Sequence, residues 1–230
     1  MKQLKYRIKN EDFNKIIYLA VSLWENVGFK INTNEITFSW IEEDTCYGCT
    51  TFNPKQFGYI IAFNPGLTVD GCQDLLLNTA VHELGHYIQL AKAINDKILI
   101  RTENDIVAAD PTSEAHLYVL GNEEEKGHSR FWKDICSKVN SLDYLKYRIT
   151  SAGGPMERKV FLQANKDNFN FKIKCLDCSF VDYFMFMNDI LAALMFDKMF
   201  GLPKFTRIGC PECKSPRLDV EIINDEGDIN

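Results

Sequence analysis

Two histidines and a glutamate lie inside an otherwise apolar stretch, AVHELGHYIQL, at residues 80–90. Apolar residues recur around it at intervals of three and four, which predicts a long helix over residues 72–94. Ionisable side chains buried in such a helix are unfavourable unless a ligand or a hydrogen bond satisfies them. His82 and His86 are four residues apart and share one helix face, so both imidazoles can bind one metal ion. The stretch therefore predicts a metal site inside the core.

Glu83 follows His82 directly and lies too far round the helix to join the same chelate. Its carboxylate can instead lie beside the open coordination position of a catalytic zinc ion. There it can take a proton from a water molecule that the metal activates, and can later return that proton to a leaving amine. We therefore predict Glu83 as the catalytic acid and base. Gly85 is expected to leave room for a substrate or a strand.

A catalytic zinc site needs a third protein ligand besides the two histidines. Four residues further along the chain are candidates: Glu103, Glu114, His116 and His128. Spacing along the chain does not select one of them. His128 begins the amphipathic stretch HSRFWKDICSKVN, which predicts a helix over residues 128–140 with Phe131 in its apolar face.

An HExxH helix followed by Gly-His-x-x-Phe at residues 127–131 resembles the SprT-like metalloprotease family, which includes the Spartan proteases. A helix over residues 11–28 and a hairpin ending in IIAFNP precede the HExxH helix, as they do in that family. The resemblance implies an α+β fold with a small zincin-like metalloprotease domain. In that domain the HExxH helix packs against a short antiparallel sheet.

The same resemblance implies that His82, His86 and His128 bind the catalytic zinc and that Glu83 is the catalytic acid and base. Residues 92–122 exceed the corresponding stretch of the family and are interpreted as an insertion.

A second resemblance leaves another third ligand open. HELGH followed by EAHLYVL, at residues 114–120, is similar to the ImmA/IrrE-type metallopeptidases, in which a glutamate supplies that ligand. Glu114 would then replace His128.

Four of the eight cysteines form two CxxC pairs near the end of the chain: Cys175, Cys178, Cys210 and Cys213. Each CxxC turn lets two thiolates bind one zinc ion, and two such turns complete a closed tetrahedral site. The flanking stretches FNFKIK, FTRIG and RLDVEII predict the strands of a zinc ribbon. A module of this size buries too little apolar surface to fold without its metal. We therefore predict one structural zinc ion in addition to the catalytic one.

Gly-Gly-Pro at residues 153–155 predicts a domain boundary, because it continues neither a helix nor a strand. We expect a metalloprotease domain over residues 1–150 and the zinc ribbon over residues 151–230. The 31 residues between the ribbon's two cysteine pairs include an apolar insert at about residues 180–203, predicted as one helix.

Cys46 and Cys49 form a third CxxC pair, CYGC, near the predicted hairpin. They are interpreted as two small apolar residues by default. The alternatives are a redox pair and a third metal site shared with Cys72.

The net charge of −6 hides a division along the chain. Residues 127–174 contain ten Lys and Arg against four Asp and Glu, whereas the segments on both sides are acidic. The basic segment is interpreted either as a solvated surface or as a surface that binds nucleic acid.

Three aspartates in the most apolar stretch, residues 180–200, disfavour a membrane span. With no apolar leader visible, we expect a cytoplasmic protein.

The leading expectation is a cytoplasmic zinc endopeptidase of SprT-like type, whose protein substrate lies along the sheet edge near residues 58–63. The resemblance also implies DNA as a partner, held by the basic segment 127–174 and the ribbon. One alternative is an ImmA/IrrE-like regulatory metallopeptidase that cuts a repressor. Another is a nucleic-acid-binding adaptor in which both zinc ions are structural, although Glu83 would then have no use as a base.

Overall fold

The computed structural model describes residues 9–41, 46–53, 55–56, 58–102, 105–125, 127–151, 155–185, 191, 194 and 210–223. Within these residues the chain mixes five α-helices with small sheets, which confirms the predicted α+β class. The helices are α1 (Asn10–Asn26), α2 (Gln73–Asn95), α3 (Glu114–Val119), α4 (Arg130–Asn140) and α5 (Pro155–Ala164). The strands are β1 (Ile36–Trp40), β2 (Gly48–Asn53), β3 (Gly58–Phe63), β4 (Leu99–Arg101), β5 (Ile106–Ala108), β6 (Phe171–Cys175), β7 (Val181–Phe184) and β8 (Leu218–Ile222). Among the described helices, none has the length and apolar character needed to cross a membrane.

The first sheet has the strand order β1-β3-β2. β2 and β3 are the predicted hairpin and pair antiparallel, with Thr50 opposite Ile61. β1, however, pairs with β3 in parallel, with Phe38 opposite Ile61. The sheet is therefore mixed, and the expectation of an antiparallel sheet is wrong for β1.

The most apolar strand, β3, takes the central position of this sheet, where neighbours on both sides cover it. Tyr59, Ile61, Ala62 and Phe63 are all buried there. Because β3 is paired on both sides, it has no free edge. β3 is therefore not itself the sheet edge expected near residues 58–63; among the described strands, the edge next to α2 belongs to β2.

α2 is the central helix of the main core, and α1, α4 and β2 pack against it. α1 and α4 approach α2 closely at Gly85, where a Cβ atom would lie 3.1 Å from Trp132 Nε1 and 3.2 Å from Trp24 Cζ2. Trp24 Nε1 also donates a hydrogen bond of 3.0 Å to the carbonyl oxygen of Val81 on α2. The space at Gly85 is therefore filled by two indole rings, so the expectation that a substrate or a strand uses it is wrong.

Residues 96–129 connect the end of α2 to α4. β4 and β5 pair antiparallel as a two-stranded sheet, with Ile100 opposite Val107. α3 follows and packs against α2 and α4. Ser129 caps the first turn of α4 by accepting a hydrogen bond from Trp132 N at 3.2 Å.

A second, smaller sheet has the order β7-β6-β8 and is antiparallel throughout. β7 lies at the start of the stretch predicted as a helical insert. The prediction of a helix is therefore wrong for residues 181–184, which form a strand. FTRIG lies outside the described residues, as does most of the insert. This sheet has its own small apolar cluster: Ile173, Cys175, Leu191, Leu194, Cys210, Leu218 and Val220.

α5 begins at Pro155, directly after the predicted domain boundary, whose residues 152–154 lie outside the described part of the chain. Phe161 and Phe169 nevertheless belong to the main core cluster. Asn165, fully buried, donates from Nδ2 to the carbonyl oxygens of Gly66 at 3.1 Å and Phe161 at 3.0 Å. α5 therefore packs on the first core, and the division at residue 150 stays a prediction.

We expect Gly85→Ala to destabilise the protein, although alanine favours a helix over glycine by about 1 kcal/mol. The added Cβ would displace two buried indole rings, and overpacking of this kind costs about 1–3 kcal/mol. Urea denaturation followed by circular dichroism measures the free energy of unfolding. Ala91→Gly, at a half-buried position of the same helix, is the control and should lose about 1 kcal/mol through helix propensity alone. A Gly85→Ala variant more stable than the wild type would contradict the close packing of the two indoles.

Candidate metal centre

Three imidazole rings converge where α2 meets the start of α4. His82 Nε2 lies 3.2 Å from His86 Nε2 and 3.2 Å from His128 Nε2. Ligand nitrogens of a tetrahedral zinc site, with bonds of ~2.0–2.1 Å, are ~3.3–3.4 Å apart. Among the Cys, His, Asp and Glu side chains of the described residues, no fourth donor atom joins this group. The three nitrogens thus fit three corners of a tetrahedral site and leave its fourth corner open.

Two of the histidines also hydrogen-bond to backbone groups outside the histidine group. His82 hydrogen-bonds to the backbone of Thr150, and His128 to the backbone of Glu125. Both bonds raise the histidine pKa, so each ring donates and the backbone accepts. A ring that donates from one nitrogen keeps the lone pair of the other for a metal.

The electrostatic environment keeps these imidazoles neutral. Burial lowers the pKa of His82 to about 3 and that of His86 to about 4, and neighbouring imidazoles contribute in the same direction. Burial also lowers the pKa of His128. The neutral ring is the form that binds a metal, and lone pairs directed at one another are stabilised by a cation between them. The donor set therefore fits a metal ion.

Trp132 on α4 lies against all three rings. Its indole centroid is 4.8 Å from the ring of His82, 5.2 Å from that of His86 and 4.6 Å from that of His128. The indole covers the inner side of the histidine site and keeps water away from it. Phe131 is buried, as its position in the apolar face of the helix predicts. The contact of Trp132 with the histidines was not predicted; its signal in the sequence is its position four residues after His128.

Glu83 is only 4% exposed and lies between α2 and β2. The hydroxyl of Thr50 lies 2.8 Å from Glu83 Oε2 and 2.9 Å from the carbonyl oxygen of Glu83. Gly48, two residues earlier on the same side of β2, makes room, since a Cβ there would lie 2.9 Å from Glu83 Cγ. Burial raises the pKa of Glu83 to about 7, and the hydrogen bond from Thr50 opposes that rise. This carboxylate can therefore exchange a proton near neutral pH.

The open edge of the first sheet lies beside Glu83. Asn64 N donates to the carbonyl oxygen of Tyr47 at 2.8 Å, which fixes the alternation of hydrogen-bonded pairs between β2 and β3. By that alternation Gly48, Thr50 and Phe52 direct their backbone N–H and C=O groups away from β3. No described strand pairs with that side of β2. Thr50 thus presents its backbone to an open edge while its hydroxyl contacts the buried carboxylate.

The four predicted cysteines form a second group of donors. Cys175 Sγ lies 3.6 Å from Cys213 Sγ, and Cys178 Sγ lies 3.6 Å from Cys210 Sγ. Four sulfurs bound to zinc at ~2.3 Å are ~3.8 Å apart in a tetrahedron. All four corners of this site are occupied by protein atoms. It can hold a metal ion as a closed, structural site.

Both CxxC turns have the same backbone conformation. Ser179 N donates to Cys175 O at 3.2 Å, and Lys214 N donates to Cys210 O at 2.8 Å. Ser179 and Lys214 each lie four residues after the first cysteine of their pair and have φ angles of 62° and 61°. In the first turn a backbone N–H group, chiefly that of Cys178, lowers the pKa of Cys175 to about 7. Hydrogen bonds with other cysteines of the group raise the pKa of Cys178 and that of Cys213. The thiolate, the form that binds zinc, therefore forms most readily at Cys175.

Of the four candidate third ligands, His128 is the one that lies beside His82 and His86. Glu114 is exposed in the first turn of α3 and lies outside the histidine group. His116 is half-buried on the same helix and also lies outside it; its Nδ1 has no hydrogen-bond partner among the described residues. Glu103 is not among the described residues.

The remaining cysteines do not enter either group. In the part of the chain that the structure describes, Cys46, Cys49 and Cys72 do not form a third cluster of metal donors. Burial raises the pKa of Cys72 to about 11 and that of Cys136 further, which keeps both thiols protonated. The role of the CYGC pair stays a prediction.

The basic segment 127–174 is partly neutralised by the fold. Four of its ten basic residues pair with carboxylates from other segments: Lys133 with Glu125, Lys146 with Asp74, Arg158 with Asp182 and Lys172 with Glu221. Exposed pairs of this kind add little stability, but each removes a positive charge from the surface field. Nucleic-acid binding by this segment stays a prediction.

No model of a known protein family matches this chain, and no curated protein does. The SprT-like resemblance therefore stays a prediction, and the case for function depends on the geometry of the two donor groups.

We expect the protein to bind one zinc ion in each of the two donor groups. His128→Ala should remove the ion of the histidine group, because two imidazoles hold zinc more weakly than three. Glu114→Ala and His116→Ala are the controls and should retain both ions. Elemental analysis by mass spectrometry after dialysis against a weak chelator measures the zinc content. Full zinc content in His128→Ala, with loss in Glu114→Ala, would overturn the assignment of the third ligand.

Proposed function

We propose that this protein is a zinc-dependent endopeptidase in which Glu83 acts as the general base and acid. The proposal rests on three histidine nitrogens that converge without a fourth Cys, His, Asp or Glu donor among the described residues, together with the buried carboxylate of Glu83, the residue directly after His82. A purely structural zinc site has four protein ligands and no base, as in the cysteine group of this same chain. The histidine group, in contrast to the cysteine group, has three protein ligands and has Glu83 as a candidate base.

The side chains around the open corner have separate roles in this proposal. A zinc ion bound by the three histidines would supply a Lewis acid for the scissile carbonyl group and for water. Glu83 accepts the proton of the attacking water and later donates it to the nitrogen of the leaving amine. Thr50 holds Glu83 Oε2, so the carboxylate keeps one orientation during both proton transfers. Trp132 excludes water from the inner side of the site.

An extended polypeptide is the substrate class that the neighbouring edge of β2 supports. The outward backbone groups of Gly48, Thr50 and Phe52 can pair with a substrate strand, as in other cases of strand addition. Recognition through the main chain selects for an extended segment more than for a particular sequence. Loosely folded protein is therefore the substrate we expect.

The other candidate functions have less support. The ImmA/IrrE-like alternative requires Glu114 as third ligand, whereas that side chain is exposed on α3. The adaptor alternative leaves Glu83 and the open corner without a role. A DNA-associated substrate has the basic segment 127–174 as its main support, and four ion pairs weaken that support.

Glu83→Gln should lower the rate of cleavage of casein, a loosely folded substrate, by about 10²–10⁴-fold, because the amide cannot carry the proton. The zinc content should stay unchanged, since Glu83 is not among the converging donors. Glu157→Gln replaces another buried carboxylate, 7% exposed and outside the histidine group, and is the matched control. The assay is run with and without single-stranded DNA. Equal cleavage by Glu83→Gln and wild type would remove the endopeptidase proposal.

Thr50→Val should lower kcat by about 10–100-fold with little change in KM, because a hydrogen bond to a charged group contributes about 1.5–3 kcal/mol. Valine keeps the backbone and the strand propensity, so substrate pairing with β2 is retained. Thr51→Val, at the exposed neighbouring position of the same strand, is the matched control and should behave as the wild type. Thr50→Ser should restore kcat. An unchanged kcat in Thr50→Val would show that the hydroxyl does not position Glu83.

A further inference from the structure

Gln89 lies one helical turn after His86 on α2 and is only 3% exposed. Burying an amide without hydrogen bonds costs about 1–3 kcal/mol, so a glutamine in the core of an apolar helix needs partners on both of its polar atoms. Gln89 has partners on both polar atoms. One is His86 of the histidine site, and the others belong to α3 and to the segment that carries His128.

The orientation of the Gln89 amide follows from its partners. Nε2 donates to the carbonyl oxygens of Val119 at 2.7 Å and Gly127 at 2.9 Å, and it lies 3.1 Å from Ser129 Oγ. A reversed amide would place its oxygen against two carbonyl oxygens, so the nitrogen must face them. Oε1 therefore faces His86 Nδ1 at 2.9 Å and accepts its proton. His86 consequently keeps the lone pair on Nε2, the atom that faces the other two histidines.

The same amide holds the backbone on both sides of the third histidine. Gly127 and Ser129, which Gln89 contacts, are the residues immediately before and after His128. Ser129 Oγ in turn donates to Val119 O at 2.7 Å and caps α4. His128 is therefore anchored to α2 through its two neighbours in sequence.

This anchorage matters because His128 comes from a connecting segment. It is 46 residues away from His82, and the described residues between α3 and α4 contain one 3-10 turn, Glu123–Glu125. Gly121 and Gly127 in that segment have φ angles of +79° and +81°, a conformation that glycine adopts readily. The segment has little regular structure of its own, so contacts with α2 must fix the position of the ligand.

We propose that Gln89 is the positioning residue that assembles the histidine metal site, because one buried amide sets the tautomer of His86 and the location of His128. The proposal rests on the proposed function only in requiring that the three histidines bind a metal ion; it does not require cleavage of a peptide. Partners of ligating histidines typically change metal affinity by about 10–100-fold when they are removed.

The test measures zinc affinity in the full-length protein by competition with a chromophoric chelator. Gln89→Leu has a similar size and no polar atoms, and should weaken zinc binding at the histidine site by about 10–100-fold. Cobalt(II) substitution gives a second readout, because bands from a histidine site are distinct from the thiolate charge-transfer bands of the cysteine site. The histidine bands should weaken or shift in Gln89→Leu, while the thiolate bands stay unchanged and serve as an internal control.

Asn165→Leu is the matched control for loss of a buried amide. Asn165 is also fully buried and also donates to two backbone carbonyl oxygens, but it lies on the α5 side of the core. It should lose stability without loss of zinc affinity at the histidine site. Gln89→Glu provides a second variant should Gln89→Leu fail to fold. Its carboxylate still accepts from His86 but opposes the carbonyl oxygens near His128, so its affinity should fall between wild type and Gln89→Leu.

Histidine-site affinity within twofold of the wild type in either folded Gln89 variant would overturn the proposal. A wild-type protein that binds zinc at this site but cleaves no substrate would refute the endopeptidase function and leave the role of Gln89 standing. A wild-type protein that binds no metal at the histidines would overturn both.

Discussion

Three uncharged imidazole nitrogens directed at one point are the constraint on which the rest of this structure depends. Lone pairs at 3.2 Å from one another are unfavourable without a cation, and burial keeps the rings from taking up protons. The surrounding fold holds them there nonetheless. Trp132 packs against each ring, and Gln89 Oε1 orients the second nitrogen of His86. That much supporting structure around otherwise repelling groups is what a metal site requires.

The two donor groups of the chain illustrate two different uses of a tetrahedral site. Four cysteine sulfurs from two CxxC turns converge beside a small apolar cluster, so an ion there would connect β6 to the segment before β8. Three histidines from α2 and the start of α4 converge without a fourth Cys, His, Asp or Glu donor among the described residues. Gly48 and Gly85 let β2, α1 and α4 approach α2 closely, which brings the edge strand β2 into contact with Glu83 and Trp132 against the histidine rings.

Much of the local structure follows from the chain itself. The 3.6-residue periodicity predicted α1, α2 and α4 within one or two residues, because an amphipathic helix must bury one stripe. The hairpin of β2 and β3 was predicted from the turn residues Asn53-Pro54 and Gly58 and from the apolar stretch YIIAF that follows them. The parallel pairing of β1 with β3 was not predicted from the sequence. Which strand takes the central position depends on how the whole sheet is buried. It also extended a helix into residues 181–184, which pair with β6 as a strand.

The sequence by itself determined the donor types, namely the four-residue spacing of His82 and His86 and the two CxxC turns, because these are local geometries that any helix or tight turn reproduces. Only the tertiary structure decided that His128, and not Glu114, lies beside the two histidines of α2. That choice depends on how residues 96–129 fold back onto α2. The same holds for Gln89 and Thr50. A glutamine in an apolar helix and a threonine in a strand are ordinary in sequence, and their hydrogen-bond partners come from distant segments brought together by burial of the core.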